Sequence, residues 1–306
     1  MGHGAKGAVI LAGALALGGV TGGCATVRAG AWTTTTTSTM IPVTPAAQAE
    51  GALVARGETE WAQRGREEHA LAAVQAWSRA LEATPTDAVL WARLARAQYF
   101  LADAHYAPDP GRAVQASDMF AAAITSGERS ILAREPELGT PLRSGRRLSE
   151  LLSMLEEQDV PGLYWRTMAL SRWARGYGMF TLNSVRDELR ASMSRCAELD
   201  RLYDGAGADR FLADSWAGAS TVQGGDLERA RRHFEYAIHA APDHLGTRVL
   251  FALDYAVKMQ DRELFQTQIE AVLSADPGGD DVAPENAIEQ RRARAALDRM
   301  WATFSH

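Results

Sequence analysis

One spacing recurs along this chain and limits what it can fold into. Ala73, Trp77, Ala80 and Pro85 stand at offsets of zero, four, seven and twelve. The same offsets place Ala230, Phe234, Ala237 and Pro242, and again Phe265, Ile269, Val272 and Pro277. Two further copies lack the proline: Ala116, Phe120, Ala123, and Leu189, Met193, Cys196. Offsets of four and seven put side chains on one face of an α-helix, and a proline shortly beyond stops it. Small residues let a second helix come close, while bulky ones fill the groove beside it. Candidate partner helices are headed by Trp91, Trp165 and Phe211, each with small residues one turn later. Gly224-Gly225 reads as a turn and Asp226 as the N-cap of a helix over 227–240. No stretch of useful length alternates with period two, so strands are not expected.

The unit resembles the tetratricopeptide repeat, a helix–turn–helix module of about 34 residues, most clearly over 211–242. The expected fold is all-α: a single domain, 51–306, of four to five tetratricopeptide-like hairpins stacked as a solenoid, closed by a helix from Pro284 to about Phe304. Between Ser126 and Pro161 lies an insertion, punctuated by Pro136 and Pro141, with a helix expected from Leu142 to Glu157.

The N-terminus is of another kind. Lys6, an apolar stretch from Gly7 to Val20 and small residues up to Cys24 describe a secretory leader, 1–23. The apolar stretch is short for a membrane-spanning helix. Cys24 after two glycines resembles the bacterial lipobox, with Thr21 where leucine is usual, which makes Cys24 the lipidation candidate. The alternative is an ordinary leader followed by an incidental cysteine. Residues 24–50, with a threonine run and Pro42 and Pro45, lack apolar periodicity and read as a disordered tether.

Composition excludes several classes. A net charge of −6 argues against nucleic-acid binding. Two cysteines rule out a disulfide framework and any cysteine-built metal centre. His233 and His239 fall on different helix faces, His69 and His105 lack acidic partners at zinc spacing, and neither metal nor cofactor is expected. Cys196 stands where the repeat takes a small apolar residue and reads as core. No nucleophile elbow, phosphate loop or dinucleotide fingerprint is present, so no enzyme is expected.

The C-terminal two-thirds carries a more particular order of blocks. Gly162-Leu163-Tyr164-Trp165 and Trp173-Ala174-Arg175 come first, then Asp209-Arg210-Phe211-Leu212 and Gly224-Gly225-Asp226-Leu227-Glu228-Arg229-Ala230. Thr247-Arg248-Val249-Leu250-Phe251-Ala252 and Gln260-Asp261-Arg262-Glu263-Leu264-Phe265 follow, and Glu285-Asn286-Ala287-Ile288-Glu289-Gln290-Arg291-Arg292 closes the set. This order resembles the T-component of TRAP transporters, the TatT-like lipoproteins. The resemblance implies a periplasmic helical-hairpin protein on a lipid anchor, assembled as a trimer. It implies a partner, the substrate-binding protein (P-component) of the transporter, and a cleft or pore that takes small hydrophobic ligands.

Candidate residues follow. Tyr164, Trp165, Trp173, Tyr177 and Phe180, with Phe211, are aromatics that a concave solenoid face would offer a ligand; the alternative is that they pack the repeats. Arg172 and Arg175 beside them suit a carboxylate, or are solvated helix faces. Asn286, Arg291 and Arg292 are assigned an orienting role on the last helix, Asn286 and one arginine pointing into the body. The leading function is thus a lipid-anchored accessory of a TRAP-type transporter, held to the inner leaflet of the outer membrane rather than to the inner membrane. The alternative is a generic periplasmic scaffold for envelope assembly.

Overall fold

The computed structural model describes Arg28, residues 30–33, 45–279 and 281–304, with side chains of 45–49 excepted. The leader and Cys24 lie outside the described residues. Among those residues the chain is helical and has no strand.

The helices pair in chain order. α1 (Pro45–Trp61) lies against α2 (Glu67–Ala83), and α3 (Ala88–Phe100) against α4 (Ala113–Arg134). A short α5 (Gly139–Arg143) sits in the insertion. α6 (Val160–Gly176) then pairs with α7 (Met179–Leu199), and α8 (Tyr203–Gly218) with α9 (Leu227–Ala240). α10 (Gly246–Leu250) and the π-helical stretch Phe251–Ala256, which runs on into α11 (Val257–Met259), pack on α12 (Arg262–Ser274). α13 (Ala283–Asp298) and the single turn α14 (Met300–Thr303) close the chain.

The repeated spacing is the core. All fifteen side chains at its first three positions are buried, none more than 5% exposed. Trp77 shows the fit: a Cβ added at Gly57 of α1 would sit 2.1 Å from its indole nitrogen. That nitrogen donates to the Val54 carbonyl at 3.3 Å. α4 and α6 approach still more closely. A Cβ at Gly127 would lie 2.8 Å from the Gly162 carbonyl, and one at Gly162 would lie 2.7 Å from the Ser130 hydroxyl. Asp226 caps α9, accepting from the Arg229 amide at 2.9 Å.

Three features depart from expectation. No continuous helix covers 142–157: α5 ends before Gly145, at φ +96°, and three 3-10 turns follow. These turns let Leu148, Leu151, Leu152 and Leu155 all face the core. The region expected as a tether is ordered in part. α1 begins at Pro45, and Arg28 and the Ala31 amide reach Glu128 of α4 at 2.5 and 2.6 Å. Trp32 lies 5.5 Å beneath the Arg166 guanidinium. Finally, the last helix breaks at Arg299, between α13 and α14.

α13 joins the two ends of the stack. Its Ile288 enters the apolar core that runs from α2 to α8, while its Ala293 and Ala296 pack into the core around α12.

Candidate functional site

Charged side chains from distant parts of the chain converge where α13 returns to the first two hairpins. Arg64, after α1, holds Glu285 through both carboxylate oxygens at 2.7 and 3.0 Å. Arg96 of α3 reaches the same carboxylate at 3.4 Å. Asp103 takes Arg292 of α13 at 2.8 Å and Arg172 of α6 on its other oxygen. Burial alone would raise the Asp103 carboxyl, but the two guanidiniums outweigh it and hold it below the ordinary aspartate value. Arg292 also pairs with Glu289 at 2.7 Å. Asp103 is placed by a π-helical stretch, Leu101–Tyr106, that continues α3. Such widened turns often sit at functional positions, and this one shifts the register that repeat spacing assumes.

Asn286 is 2% exposed. Its amide donates to the Asp243 and Pro277 carbonyls at 2.7 and 2.9 Å, and its oxygen accepts from the Leu245 amide at 3.0 Å. It thereby ties together the loops that follow α9 and α12. Gln290 does the same for the α12 C-terminus, donating to Val272 and Ala275 carbonyls. Arg292 points into the body; Arg291 is exposed.

The aromatic candidates divide. Tyr164, Trp165, Trp173 and Phe211 are buried, at 0, 6, 6 and 8% exposure. Tyr164 belongs to a polar knot: its hydroxyl donates to Asp204 at 2.9 Å, and Arg210 reaches the same carboxylate at 2.8 Å. The knot holds a left-handed turn at the start of α8, with φ of 51°, 60° and 56° at Asp204, Gly205 and Ala206. Such backbone is costly outside glycine, and Arg210 also bonds the Asp204 and Gly205 carbonyls. Trp165 donates to the Tyr203 hydroxyl at 2.9 Å. Trp173 packs on Tyr177, ring centres 4.7 Å apart. Tyr177 is exposed, and with Met179 and Phe180 it forms an apolar lip at the α6–α7 turn.

Beside that lip a small pocket of about 60 Å³ opens between α6, α7 and α8, lined by Phe211, Leu182, Leu189, Arg175, Arg186 and Asp214 among others. Arg175 pairs with Asp214 at 3.1 Å. Asp254, from the second π-helical stretch, backs Asp214; burial and that neighbouring charge push its carboxyl up to about 7. A wider groove of about 540 Å³ runs between α9 and α12, but its polar groups are engaged with one another, Arg231 with Glu235 and Arg248 with Gln268.

Arg186 is inconspicuous in the sequence, since Asn183, Ser184 and Asp187 around it read as a solvated face. The usable signal was its register: Leu182, Arg186, Leu189, Met193 and Cys196 form one stripe, and only Arg186 in it is charged. Asp103 offered no such signal.

The Cys196 thiol is fully buried, and burial pushes its pKa far up, so it is a poor nucleophile. Among the described residues no three His, Cys, Asp or Glu side chains are placed to hold a metal ion. His69 and His233 instead pair singly with Glu60 and Asp209, at 2.6 and 2.8 Å.

The model of the TRAP transporter T-component family matches residues 96–304. The chain belongs to that family. No curated protein matches the chain. As a T-component it is an accessory of a TRAP transporter, in a family not known for enzymes, and it works at the cell envelope. The matched span begins at Arg96 and takes in both π-helical stretches, the polar knot, the pocket and α13. None of the described helices is long and apolar enough to cross a membrane.

Proposed function

We propose that this T-component is a periplasmic lipoprotein, acylated at Cys24, that docks the substrate-binding protein of its transporter and holds a small ligand in its helical body. The observation that carries the reading is the apolar lip Tyr177, Met179 and Phe180, 51, 53 and 67% exposed, standing beside a pocket within the family-matched span. Exposed aromatic and methionine side chains next to a concavity are the material of protein interfaces. The lip is free for a partner, and the pocket is within reach of a ligand the partner delivers. By its family resemblance the protein works as a homo-oligomer, a trimer; Ala25 after Cys24, in place of an acidic inner-membrane retention signal, favours the inner leaflet of the outer membrane.

The clasp near the N-terminus supports an anchor that also orients the body. Four residue steps separate Cys24 from Arg28, a span of at most about 14 Å. Arg28 is fixed to Glu128, which is 1% exposed. An acyl group on Cys24 would therefore hold the α4–α6 side near the bilayer and turn the rest of the body toward the periplasm.

The test is recovery of the lipidated protein from membranes in mild detergent, followed by identification of what comes with it. A TRAP substrate-binding protein is the expected partner, with recovery reduced at least fivefold by Phe180→Asp. Recovery of envelope-assembly proteins alone would favour a general scaffold. Labelling with a palmitate analogue, lost in Cys24→Ala, tests the anchor separately.

A further inference from the structure

Arg186 is 7% exposed, yet it forms no ion pair among the described residues. Its one side-chain partner is the neutral carbonyl oxygen of Asn183, one turn back on α7. A guanidinium with little access to water and no ion-pair partner is disfavoured, so this placement needs an explanation beyond packing.

The neighbouring charges do not supply one. Asp214 faces the same pocket but is engaged by Arg175. Asp254 stands behind Asp214, and burial and the Asp214 charge push its carboxyl up to about 7, so it adds little negative charge near neutrality. Asp187 is on the exposed side of α7. Arg190 turns away, to the Ser215 and Gly224 carbonyls. Burial and the positive charge of Arg175 both lower the Arg186 pKa, and Asp187 and Asp214 offset them only in part.

We propose that the pocket between α6, α7 and α8 binds a small monocarboxylate, its carboxylate on Arg186 and Arg175 and its short alkyl end against Met179, Leu182, Leu189 and Phe211. Guanidinium groups suit the planar carboxylate fork. Four apolar side chains favour an organic anion over an inorganic one. The volume of about 60 Å³ exceeds the roughly 10–15 Å³ that one water needs and admits an acid of a few carbons. Asp214 on the wall disfavours a second negative charge on the ligand. The proposal rests on the ligand-holding part of the proposed function and is independent of the docking part.

The test uses the full chain and three probes in calorimetric titration: butyrate, its neutral isostere butyramide, and inorganic phosphate. Butyrate is expected to bind saturably, at least tenfold more tightly than either of the others. Arg186→Gln is expected to weaken butyrate at least tenfold. The unliganded Arg186→Met protein is expected to melt at a higher temperature than wild type, since it removes an uncompensated buried charge. Equal affinity for butyramide would make the pocket an apolar slot, and equal affinity for phosphate a general anion site; either overturns the proposal. So would absence of butyrate binding together with a lower melting temperature for Arg186→Met, which would make Arg186 a structural residue. Recovery of the substrate-binding protein from membranes reads out the docking function whatever the titration gives.

Discussion

Two kinds of seam hold this molecule together, and they are made of different material. Within and between successive hairpins the contacts are apolar and dense: Ala230, Phe234 and Ala237 are completely buried, and so are Ile269 and Val272. Where α13 returns to the first two hairpins the contacts are ionic and partly wet. Arg172 and Arg292 are each 36% exposed while both grip Asp103. An apolar seam gains free energy in proportion to area and has no charges for salt to screen. A partly exposed ionic seam gains little, responds to salt, and sets position more than stability. The difference suggests a stack that is firm along its length and adjustable where it closes on itself.

The largest effect should come from the apolar seam. Phe234→Ala removes a fully buried ring that stacks on Phe251 at 4.9 Å, and a cost of about 3–5 kcal/mol is expected. Denaturant unfolding should show one cooperative transition moved to lower concentration. A loss under about 1 kcal/mol would mean that this hairpin is loosely packed.

Asn286→Ala tests the polar staple within the closing region. It strips three hydrogen bonds from buried loop groups, at about 2–3 kcal/mol in all. Hydrogen exchange should accelerate in α13 and in the loops after α9 and α12, ahead of α2 or α4. Uniform acceleration would show that the closing region unfolds only with the whole.

Asp103→Asn should cost less, about 1–2 kcal/mol, because the two arginines it abandons keep access to water. Its mark is salt dependence. Wild-type protection of α13 should fall between low and high ionic strength, and the variant's should already be low. If α13 protection in the wild type is insensitive to salt, the ionic contacts contribute nothing to closure.

The division between seams is also a division in what a sequence can disclose. The repeat positions were legible because helical spacing is local: a side chain four or seven residues on must share the face of its neighbour. Trp165 and Trp173 were legible as helix-face aromatics, but not which way they pointed, since burial is decided by the helix that packs over them. The partners of Asp103 stand 69 and 189 residues away in sequence, and the π-helical stretch that aims Asp103 breaks the very register used to find repeats. The insertion misled for a related reason. Its leucines have helical spacing, but Gly145 and successive short turns bring them to the core by another path.

A last test separates the two π-helical aspartates by the sign of their response to pH. Unfolded, both should titrate near 3.9. Asp103 is held below that by Arg172 and Arg292 against the opposing effect of burial, so its contribution is present above pH 4 and lost as pH falls through the native value. Asp254 is pushed up to about 7, first by burial and then by the charge of Asp214. The native protein therefore holds a proton that the unfolded chain releases between about pH 4 and 7. Stability falls as pH rises through that window and is level above it. Asp254→Asn should remove this slope, unfolding like wild type at pH 4 and resisting denaturant better than wild type at pH 8. Asp103→Asn should leave the slope in place and flatten the acid limb below pH 4. If the Asp254→Asn difference is the same at pH 4 and pH 8, Asp254 is ionised in the native protein, and a second negative charge stands behind Asp214.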